Sequence, residues 1–309
     1  MSVTFILGRT ASRRDERVME RIKDIAGNDP LAEVLVVVPP QATYIAEKQL
    51  MKALGAKGLM GVCVQSPAKL CDRVLESVYG RTVPSIDSAG KSMLLRAILD
   101  EEAADLSALS RCAGKSDFPM QLAELIAELK TLDITPEMLR GIETEYRGTR
   151  EKMQDIAHLY ERFNAAAAGL FDTEDKIDLV IGHIPQADFI RRAHLVIHGF
   201  DIYNAQTVRF MKALMYTAQD TVMSFYYAPS GPDGEVYDIC TENREKFLVD
   251  AMKLGLETEI VTEDKAASPD ILHIEKNLYA YPAEKRGRAK DVRLMRAPGI
   301  EEEVRAVCA

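Results

Sequence analysis

A loop that could bind phosphate follows the first apolar segment of the chain. Residues 3–7 predict a strand, and the spacing of apolar residues after Asp15 predicts a helix. A phosphate-binding loop between two such elements needs G-x-x-x-x-G-K-[ST], with glycines for close backbone approach, a lysine for the phosphate charge and a hydroxyl for magnesium. Gly8 fits this pattern, but Arg13, Arg14 and Asp15 replace its glycine, lysine and hydroxyl. We therefore predict a degenerate nucleotide loop, and the alternative is an ordinary turn into a helix with an acidic first turn.

A second candidate site lies at the end of a later buried strand, which we predict over residues 194–197. A P-loop ATPase has an acidic pair at this point, whereas this chain has Ile197 and His198, followed by Asp201. Neither of the first two side chains is a hard oxygen ligand for Mg²⁺. His198 could act as a general base, but a lone histidine at a strand end is more often a packed or hydrogen-bonded residue. We interpret these positions as a degenerate acidic pair and predict no catalytic residue.

Two clusters of charge could bind a ligand, and both have simpler interpretations. The acidic cluster could imitate the paired carboxylates of a nuclease, but its spacing also fits a helix start, where the helix dipole favours negative charge. It consists of Asp172, Glu174, Asp175 and Asp178. The basic cluster could contact phosphates or the acidic face of a partner, although such runs are usually solvated loops. It consists of Lys285, Arg286, Arg288, Lys290 and Arg293.

Cysteine and histidine patterns predict no metal site. The five cysteines are odd in number and form no C-x-x-C pair, which argues against a disulfide framework, a zinc site and an iron–sulfur site. We expect buried free thiols. The histidines supply no pair of ligands four residues apart on a predicted helix.

Composition places the chain among soluble globular proteins. It has 309 residues, of which 47% are hydrophobic and 28% charged, and this length predicts two domains or one large domain with an insertion. No apolar run approaches the ~20 residues that cross a bilayer, and no signal peptide is evident, so we expect a cytoplasmic protein with no membrane partner. The net charge of −9 argues against bulk electrostatic wrapping of nucleic acid and leaves a local basic groove open.

Apolar periodicity predicts the elements that position these sites. Strand and helix patterns alternate through the first 80 residues, which indicates a parallel sheet. From Ser88 onward apolar residues recur every three or four positions without a strand signal, and then the α/β pattern returns. The predicted fold class is therefore α/β, a P-loop-NTPase-like parallel sheet with helices on both faces and an inserted all-helical subdomain. The predicted strands are residues 3–7, 34–38, 62–65, 194–197, 220–226, 259–262 and 292–296.

The domain boundaries follow from this change of pattern. Residues 1–85 and 170–309 are predicted to form a discontinuous α/β core, and residues 86–169 the helical insertion. Glutamates at 301–303 begin a further helix, and Val304 starts its apolar face. Because the chain stops at Ala309 inside this helix, we expect a fragment whose next domain is missing.

Several segments resemble, in order and spacing, the N-terminal portion of the B subunit of bacterial ATP-dependent helicase/nucleases of the AddB (RexB) type. The stretch VPPQATYIAEK at residues 38–48 resembles the family's V-P-x-Q-A-T-x-x-A-E-K. Further matches are GLMGV at 58–62, DSAGKSMLL at 87–95, QLAELIAELK at 121–130, HGFD at 198–201 and NLYAYP at 277–282. The resemblance covers essentially the whole chain.

The resemblance implies a superfamily-one helicase-like core with a helical insertion. It also implies a heterodimer with an A subunit that carries the active motor, and a role in processing double-strand DNA breaks for recombinational repair. The family's nuclease domain, with its cysteine-held iron–sulfur cluster, lies C-terminal to this segment. Family members often have G-R-x-G-S-G-K-T in the nucleotide loop, of which this chain keeps Gly8, Arg9 and Ser12 and changes positions 11, 13, 14 and 15. We therefore expect neither ATP nor Mg²⁺ as a cofactor of this chain.

Candidate DNA contacts follow two of the predicted strands. A helicase-like core offers the loops after its parallel strands to single-stranded DNA, here expected near a duplex end. The polar side chains that follow the second and third strands are Gln41, Thr43, Lys48, Gln65, Ser66 and Lys69. Such groups bind phosphates without distinguishing bases. The alternative is that they only cap helices, as Ser66 before Pro67 could do.

The preferred function is a catalytically silent module that tracks DNA and acts as a scaffold in a helicase/exonuclease complex. One alternative is an active P-loop ATPase/helicase or a kinase-like enzyme, which requires nucleotide binding at residues 8–15. Another is a dinucleotide-binding enzyme, which needs a glycine-rich turn and an acidic residue at the end of the second strand. That strand instead ends in Pro39 and Pro40.

Overall fold

A parallel sheet of six strands forms the centre of the protein in the computed structural model, which describes residues 1–29, 31–80, 83–229, 233–266 and 268–308. The strands are β1 (Ser2–Gly8), β2 (Val34–Val37), β3 (Val62–Gln65), β4 (His194–Ile197), β5 (Asp220–Tyr226) and β6 (Glu257–Glu263). Their order across the sheet is β3-β2-β4-β5-β1-β6. The parallel sheet predicted from the sequence is confirmed.

The register brings the ends of neighbouring strands together at one edge of the sheet. Val37 of β2 lies between Gln65 of β3 and Ile197 of β4. Further along the strand order, Gly8 of β1 pairs with Tyr226 of β5. Because all the strands run in one direction, the loops that follow these residues share the carboxyl edge, where ligands of open α/β sheets usually bind.

Helices connect the strands and surround the sheet. They are α1 (Arg14–Asn28), α2 (Thr43–Leu54), α3 (Pro67–Tyr79), α4 (Ser88–Glu102), α5 (Ser110–Ala113), α6 (Phe118–Thr131), α7 (Pro136–Arg140), α8 (Arg147–Ala166), α9 (Thr173–Ile181), α10 (Asp188–Arg191), α11 (Ala205–Met215), α12 (Asp238–Lys253), α13 (Pro269–Asn277) and α14 (Ile300–Cys308). Side-chain caps fix several starts, as where Asn204 accepts the N–H of Thr207 at 2.8 Å before α11. In the described ranges, no helix has both the length and the hydropathy to cross a membrane.

Each face of the sheet has its own apolar core, because successive strand residues point to opposite faces. On one face, Val18 of α1 and Leu50 of α2 pack against Val36 and Val196. The opposite core includes residues of β2, β4, α3, α9, α11 and α12, among them Leu35, Ile197, Leu70, Val180, Phe210 and Phe247. The predicted placement of helices on both faces is confirmed.

Helices α4 to α8 form a block with a separate apolar core. Buried side chains from α4, α6 and α8 pack together there, among them Leu95, Leu99, Leu122, Ile126 and Phe163. The all-helical insertion predicted from the spacing of apolar residues is confirmed. Its exact bounds at residues 86 and 169 stay a prediction.

The C-terminal part differs from the sequence prediction. Residues 292–296 do not form a strand, and Leu294 is fully exposed. An apolar segment forms a strand only where a neighbouring strand supplies hydrogen bonds, and within the described residues this segment pairs with none. The basic cluster there is exposed, with Arg286 pairing with Asp270 at 3.2 Å. The predicted last helix, α14, is present, and Ala309 lies outside the described residues.

Candidate functional site

The loop between β1 and α1 folds tightly over the end of the sheet. Ser12 donates its hydroxyl to the carbonyl of Arg9 at 2.7 Å, and its N–H donates to the same oxygen at 3.1 Å. The hydroxyl accepts the N–H of Arg14 at 3.3 Å. A Cβ on Gly8 would lie 2.4 Å from Ser12 Oγ and 2.9 Å from the carbonyl oxygen of Glu263. Only glycine fits at this position without a shift of the backbone.

Groups from the distant C-terminal segment bind the N–H groups of this loop. The N–H groups of Thr10 and Ala11 donate to the two carboxylate oxygens of Glu275 at 2.8 and 3.0 Å. The N–H of Arg13 donates to the carbonyl of Lys265 at 2.8 Å. In a phosphate-binding loop, successive N–H groups of this kind hold phosphate oxygens. Here a carboxylate of the chain itself accepts two of them.

Two further side chains from the same part of the chain enclose the loop. Arg9 forms a two-pronged ion pair with Asp233, whose side chain is 5% exposed. The hydrogen bond from Arg9 holds the pKa of Asp233 below its ordinary value. Tyr237 donates its hydroxyl to Glu275, and burial together with this carboxylate raises the pKa of Tyr237 to about 12. The sequence does not predict the pairing of Arg9 with Asp233, because no spacing rule links residues 224 positions apart.

Arg14, which replaces the lysine of a phosphate-binding loop, is turned into the protein. Its side chain is 3% exposed, and Nε and one terminal nitrogen lie 2.9 and 2.7 Å from Asp15 Oδ1. The guanidinium carbon lies 3.6 Å from the centre of the Tyr226 ring. Burial lowers the pKa of Arg14, but Asp15 and Tyr226 outweigh this effect, so the pKa stays above its ordinary value. Arg13, by contrast, is half exposed beside Glu16.

His198, which directly follows β4, lies close to Asp15 of the nucleotide loop. His198 Nδ1 lies 2.7 Å from the hydroxyl oxygen of Ser224, and Nε2 lies 3.9 Å from Asp15 Oδ1. Burial lowers the pKa of His198 to about 4, although the nearby Asp15 carboxylate acts in the opposite direction. The imidazole is therefore neutral at pH 7. Ile197 is fully buried, and Asp201 is exposed in the loop that follows.

Three of the predicted DNA contacts follow β2. Gln41 lies in the turn before α2, and Thr43 and Lys48 lie in the first two turns of this helix. Gln41 and Lys48 are exposed, and Thr43 donates its hydroxyl to a carbonyl of the preceding turn at 3.0 Å. Tyr44 and Ile45 lie beside them and are 70% and 56% exposed. Tyr44 is not among the residues predicted from sequence, although an aromatic residue beside polar and basic ones is typical of surfaces on which bases stack.

The other three predicted contacts begin with Gln65, the last residue of β3, and lie next to the first group because β2 and β3 are paired. Ser66 is buried and caps α3 by accepting the N–H of Lys69 at 3.5 Å, as the alternative interpretation expects. The side chain of Lys69 is exposed, and Gln65 is half-buried. The structure therefore brings these two loops side by side. Strands β4 and β5 lie between these two loops and the nucleotide loop, which follows β1.

The acidic cluster is a helix start joined to the helical block. Asp172 accepts the N–H of Asp175 at 2.8 Å and caps α9, which confirms the helix-start interpretation. Lys130 Nζ lies 3.1 Å from Asp172 and 2.6 Å from Asp175, and Lys91 Nζ lies 3.4 Å from Asp172. Burial raises the pKa of Asp172, but the Asp175 amide and the two ammonium groups outweigh it and hold the pKa below its ordinary value.

The cysteines are free, but most of them are not buried. Cys71 is buried, and burial raises its pKa to about 12, so its thiol is protonated at pH 7. The expectation of burial is wrong for Cys63, Cys112 and Cys240, which are half-buried, and for Cys308, which lies on the exposed α14. Through the described part of the chain, no group of three or more His, Cys, Asp or Glu is placed to hold a metal ion.

Comparison with known proteins relates the chain to one family. A family model described as "ADDB, N-terminal" matches residues 5–275. A protein of Alkaliphilus oremlandii (strain OhILAs), named as the B subunit of an ATP-dependent helicase/deoxyribonuclease, is 32% identical over 295 residues, which are 91% of this chain and 26% of the relative. Proteins of the same name are 30% identical in Moorella thermoacetica, over 99% of this chain and 28% of the relative, and 28% identical in Bacillus subtilis (strain 168), over 92% and 26%. The chain thus spans about a quarter of the length of these relatives.

Proposed function

The chain belongs to the ADDB N-terminal family, and from this membership we propose that it is the helicase-like N-terminal part of the B subunit of an ATP-dependent helicase/deoxyribonuclease. In the whole protein this part would act with an A subunit, as a heterodimer, on broken ends of double-stranded DNA for recombinational repair in the cytoplasm. The role we assign to it is to hold and track DNA and to serve as a scaffold, without turnover of ATP.

The position of Arg14 is the observation that carries the proposal of a silent nucleotide loop. The basic residue of an active loop must be free to reach the phosphates, whereas Arg14 is buried between Asp15 and Tyr226. A magnesium-bound nucleotide does not fit the remaining residues. Asp15 places a negative charge where phosphates would lie, and Ile197 offers no oxygen ligand.

The exposed groups after β2 and β3 support the proposed DNA contact. Lys48 and Lys69 supply positive charge, Gln41 supplies an amide, and Tyr44 supplies an aromatic face. Together they form the combination that holds single strands through phosphate contacts and base stacking. With a net charge of −9 for the chain, this contact is local and weak.

Release of phosphate from ATP by the purified chain tests the silent loop. The parent, an Arg14→Ala variant and an Arg13→Ala control are incubated with MgATP, with and without a single-stranded oligonucleotide. We expect no steady release from any of them and no rise in melting temperature with ATP. Steady DNA-stimulated release by the parent and the Arg13→Ala control, lost in Arg14→Ala, would overturn the proposal and favour an active P-loop ATPase.

A further inference from the structure

The carboxylate of Glu275 occupies a site that is built for an anion. Its two oxygens accept the N–H groups of two successive residues, Thr10 and Ala11, at 2.8 and 3.0 Å. Successive backbone N–H groups that converge in this way bind anions, and carboxylate and phosphate oxygens are both strong acceptors. This inference deepens the function proposed above and rests on it. We propose that the Glu275 carboxylate occupies the anion site of the loop and thereby blocks the binding of phosphate groups there.

The site belongs to the loop and not to the end of a helix, since both N–H groups precede α1. The turn held by Ser12 and Gly8 orients them. Tyr237 adds a third donor to the same carboxylate. The guanidinium of Arg9 pairs with Asp233, and its positive charge also attracts the Glu275 carboxylate. Three donors therefore converge on one carboxylate.

Helix α13, which carries Glu275 near its C-terminus, is held by hydrogen bonds at its N-terminus. Asp270 in the first turn of α13 accepts the N–H groups of Lys290 and Asp291 at 2.6 and 3.0 Å. This holds the helix against the segment that follows and keeps Glu275 at the loop. Glu275 and an external phosphate group compete for the same two N–H groups, so that binding of one opposes binding of the other.

The ligand expected at the opened site is a phosphate group without a metal. Removing Glu275 frees N–H donors, but it adds no oxygen ligand for magnesium, because Ile197 and His198 remain where an acidic pair would be. We therefore use sodium pyrophosphate as the probe and expect binding without hydrolysis of ATP.

The experiment compares the parent with Glu275→Ala and Glu275→Gln. The control is Glu235→Gln, which removes one negative charge from an exposed residue of the same region. Pyrophosphate binding is measured by calorimetry, and hydrogen exchange is followed at residues 10 and 11. In the Glu275 variants we expect affinity at least about tenfold higher than in the parent and the control, which corresponds to about 1.4 kcal/mol. We also expect faster exchange at both N–H groups in Glu275→Ala and at one of them in Glu275→Gln, whose amide keeps one acceptor oxygen, and reversal by pyrophosphate in each case. The Gln variant keeps the shape of the side chain and covers the case in which the Ala variant fails to fold.

The outcomes separate this inference from the function on which it rests. Equal affinity in all four proteins, or unchanged exchange at residues 10 and 11 in both variants, would overturn the role of Glu275 and leave the proposed function standing. Steady ATP hydrolysis by the parent would instead overturn the silent loop. Tighter pyrophosphate binding by the Glu275 variants, with no ATP hydrolysis by any of the proteins, supports both.

Discussion

The guanidinium of Arg14 lies over the ring of Tyr226, with its carbon 3.6 Å from the ring centre. Tyr226 is the last residue of β5 and pairs with Gly8, the residue that opens the nucleotide loop. The parallel pairing of β1 and β5 therefore provides the surface on which Arg14 packs. In this arrangement the basic residue of the loop stabilises the end of the sheet and does not face a ligand.

Replacing Arg14 by Ala should lower the free energy of unfolding by about 2 kcal/mol, because it removes a desolvated cation–π contact and the packing of a buried side chain. Arg13→Ala is the matched control, since its half-exposed side chain has only a surface ion pair, and we expect a change within ~0.5 kcal/mol. Urea unfolding measures both. Equal stability of the two variants would show that Arg14 does not have the structural role assigned to it.

The stability of the protein should depend on the protonation of His198. Its folded-state pKa of about 4 lies below the unfolded value of 6.5. Between these pH values the unfolded state binds a proton that the folded state excludes, so stability is fully present above pH 6.5 and is lost as pH falls toward 4. From pH 6.5 to 5 the loss from this residue should be about 2 kcal/mol.

A His198→Asn variant keeps a polar atom near Ser224 but does not titrate. Unfolding of parent and variant at pH 7 and pH 5 isolates the contribution of His198, because the other groups titrate in both proteins. The variant should lose less stability on acidification than the parent. Identical losses would mean that His198 is accessible to protons in the folded state.

The ion pairs of Lys130 with Asp172 and Asp175 should stabilise the packing of the helical block against α9. Lys130→Met keeps most of the side-chain volume but removes the ion-pair partner of Asp175 and leaves Asp172 with Lys91, which should cost about 3 kcal/mol of unfolding free energy. Lys176→Met is the control, because Lys176 pairs with the exposed Asp72, and its cost should stay below ~1 kcal/mol. An equal loss of unfolding free energy in the two variants, measured by chemical denaturation, would argue against a stabilising role for the buried ion pairs of Lys130.

The fold follows from patterns that are local in the sequence. Successive residues of a strand point to opposite faces, so the continuous apolar run at residues 34–38 predicts a strand covered on both faces. A helix repeats every 3.6 residues, so the spacing of Leu122 and Ile126 predicts a helix with one buried side. The prediction of a strand at 292–296 is wrong, because apolar residues alone do not supply a partner strand.

The site could be predicted only in outline. The sequence predicts that the loop departs from a functional phosphate-binding pattern, since this depends on residue types at fixed positions. It does not predict that Glu275 meets Thr10, because the two residues are 265 positions apart and meet only after the sheet and α13 have formed. The inward position of Arg14 likewise depends on Tyr226, which adjoins the loop only through the pairing of β5 with β1.

Binding of single-stranded DNA at the ends of β2 and β3 is the proposal on which the assigned function rests, and titration with a fluorescent single-stranded oligonucleotide at several salt concentrations measures it. The parent is compared with Lys48→Ala/Lys69→Ala and with the control Lys52→Ala/Lys57→Ala, which removes the same charge from exposed positions at the far end of α2 and beyond it. We predict weaker binding for the first double variant alone, with a salt slope reduced by about 0.7 for each lysine removed. An affinity and a salt slope equal to those of the control would contradict the proposal.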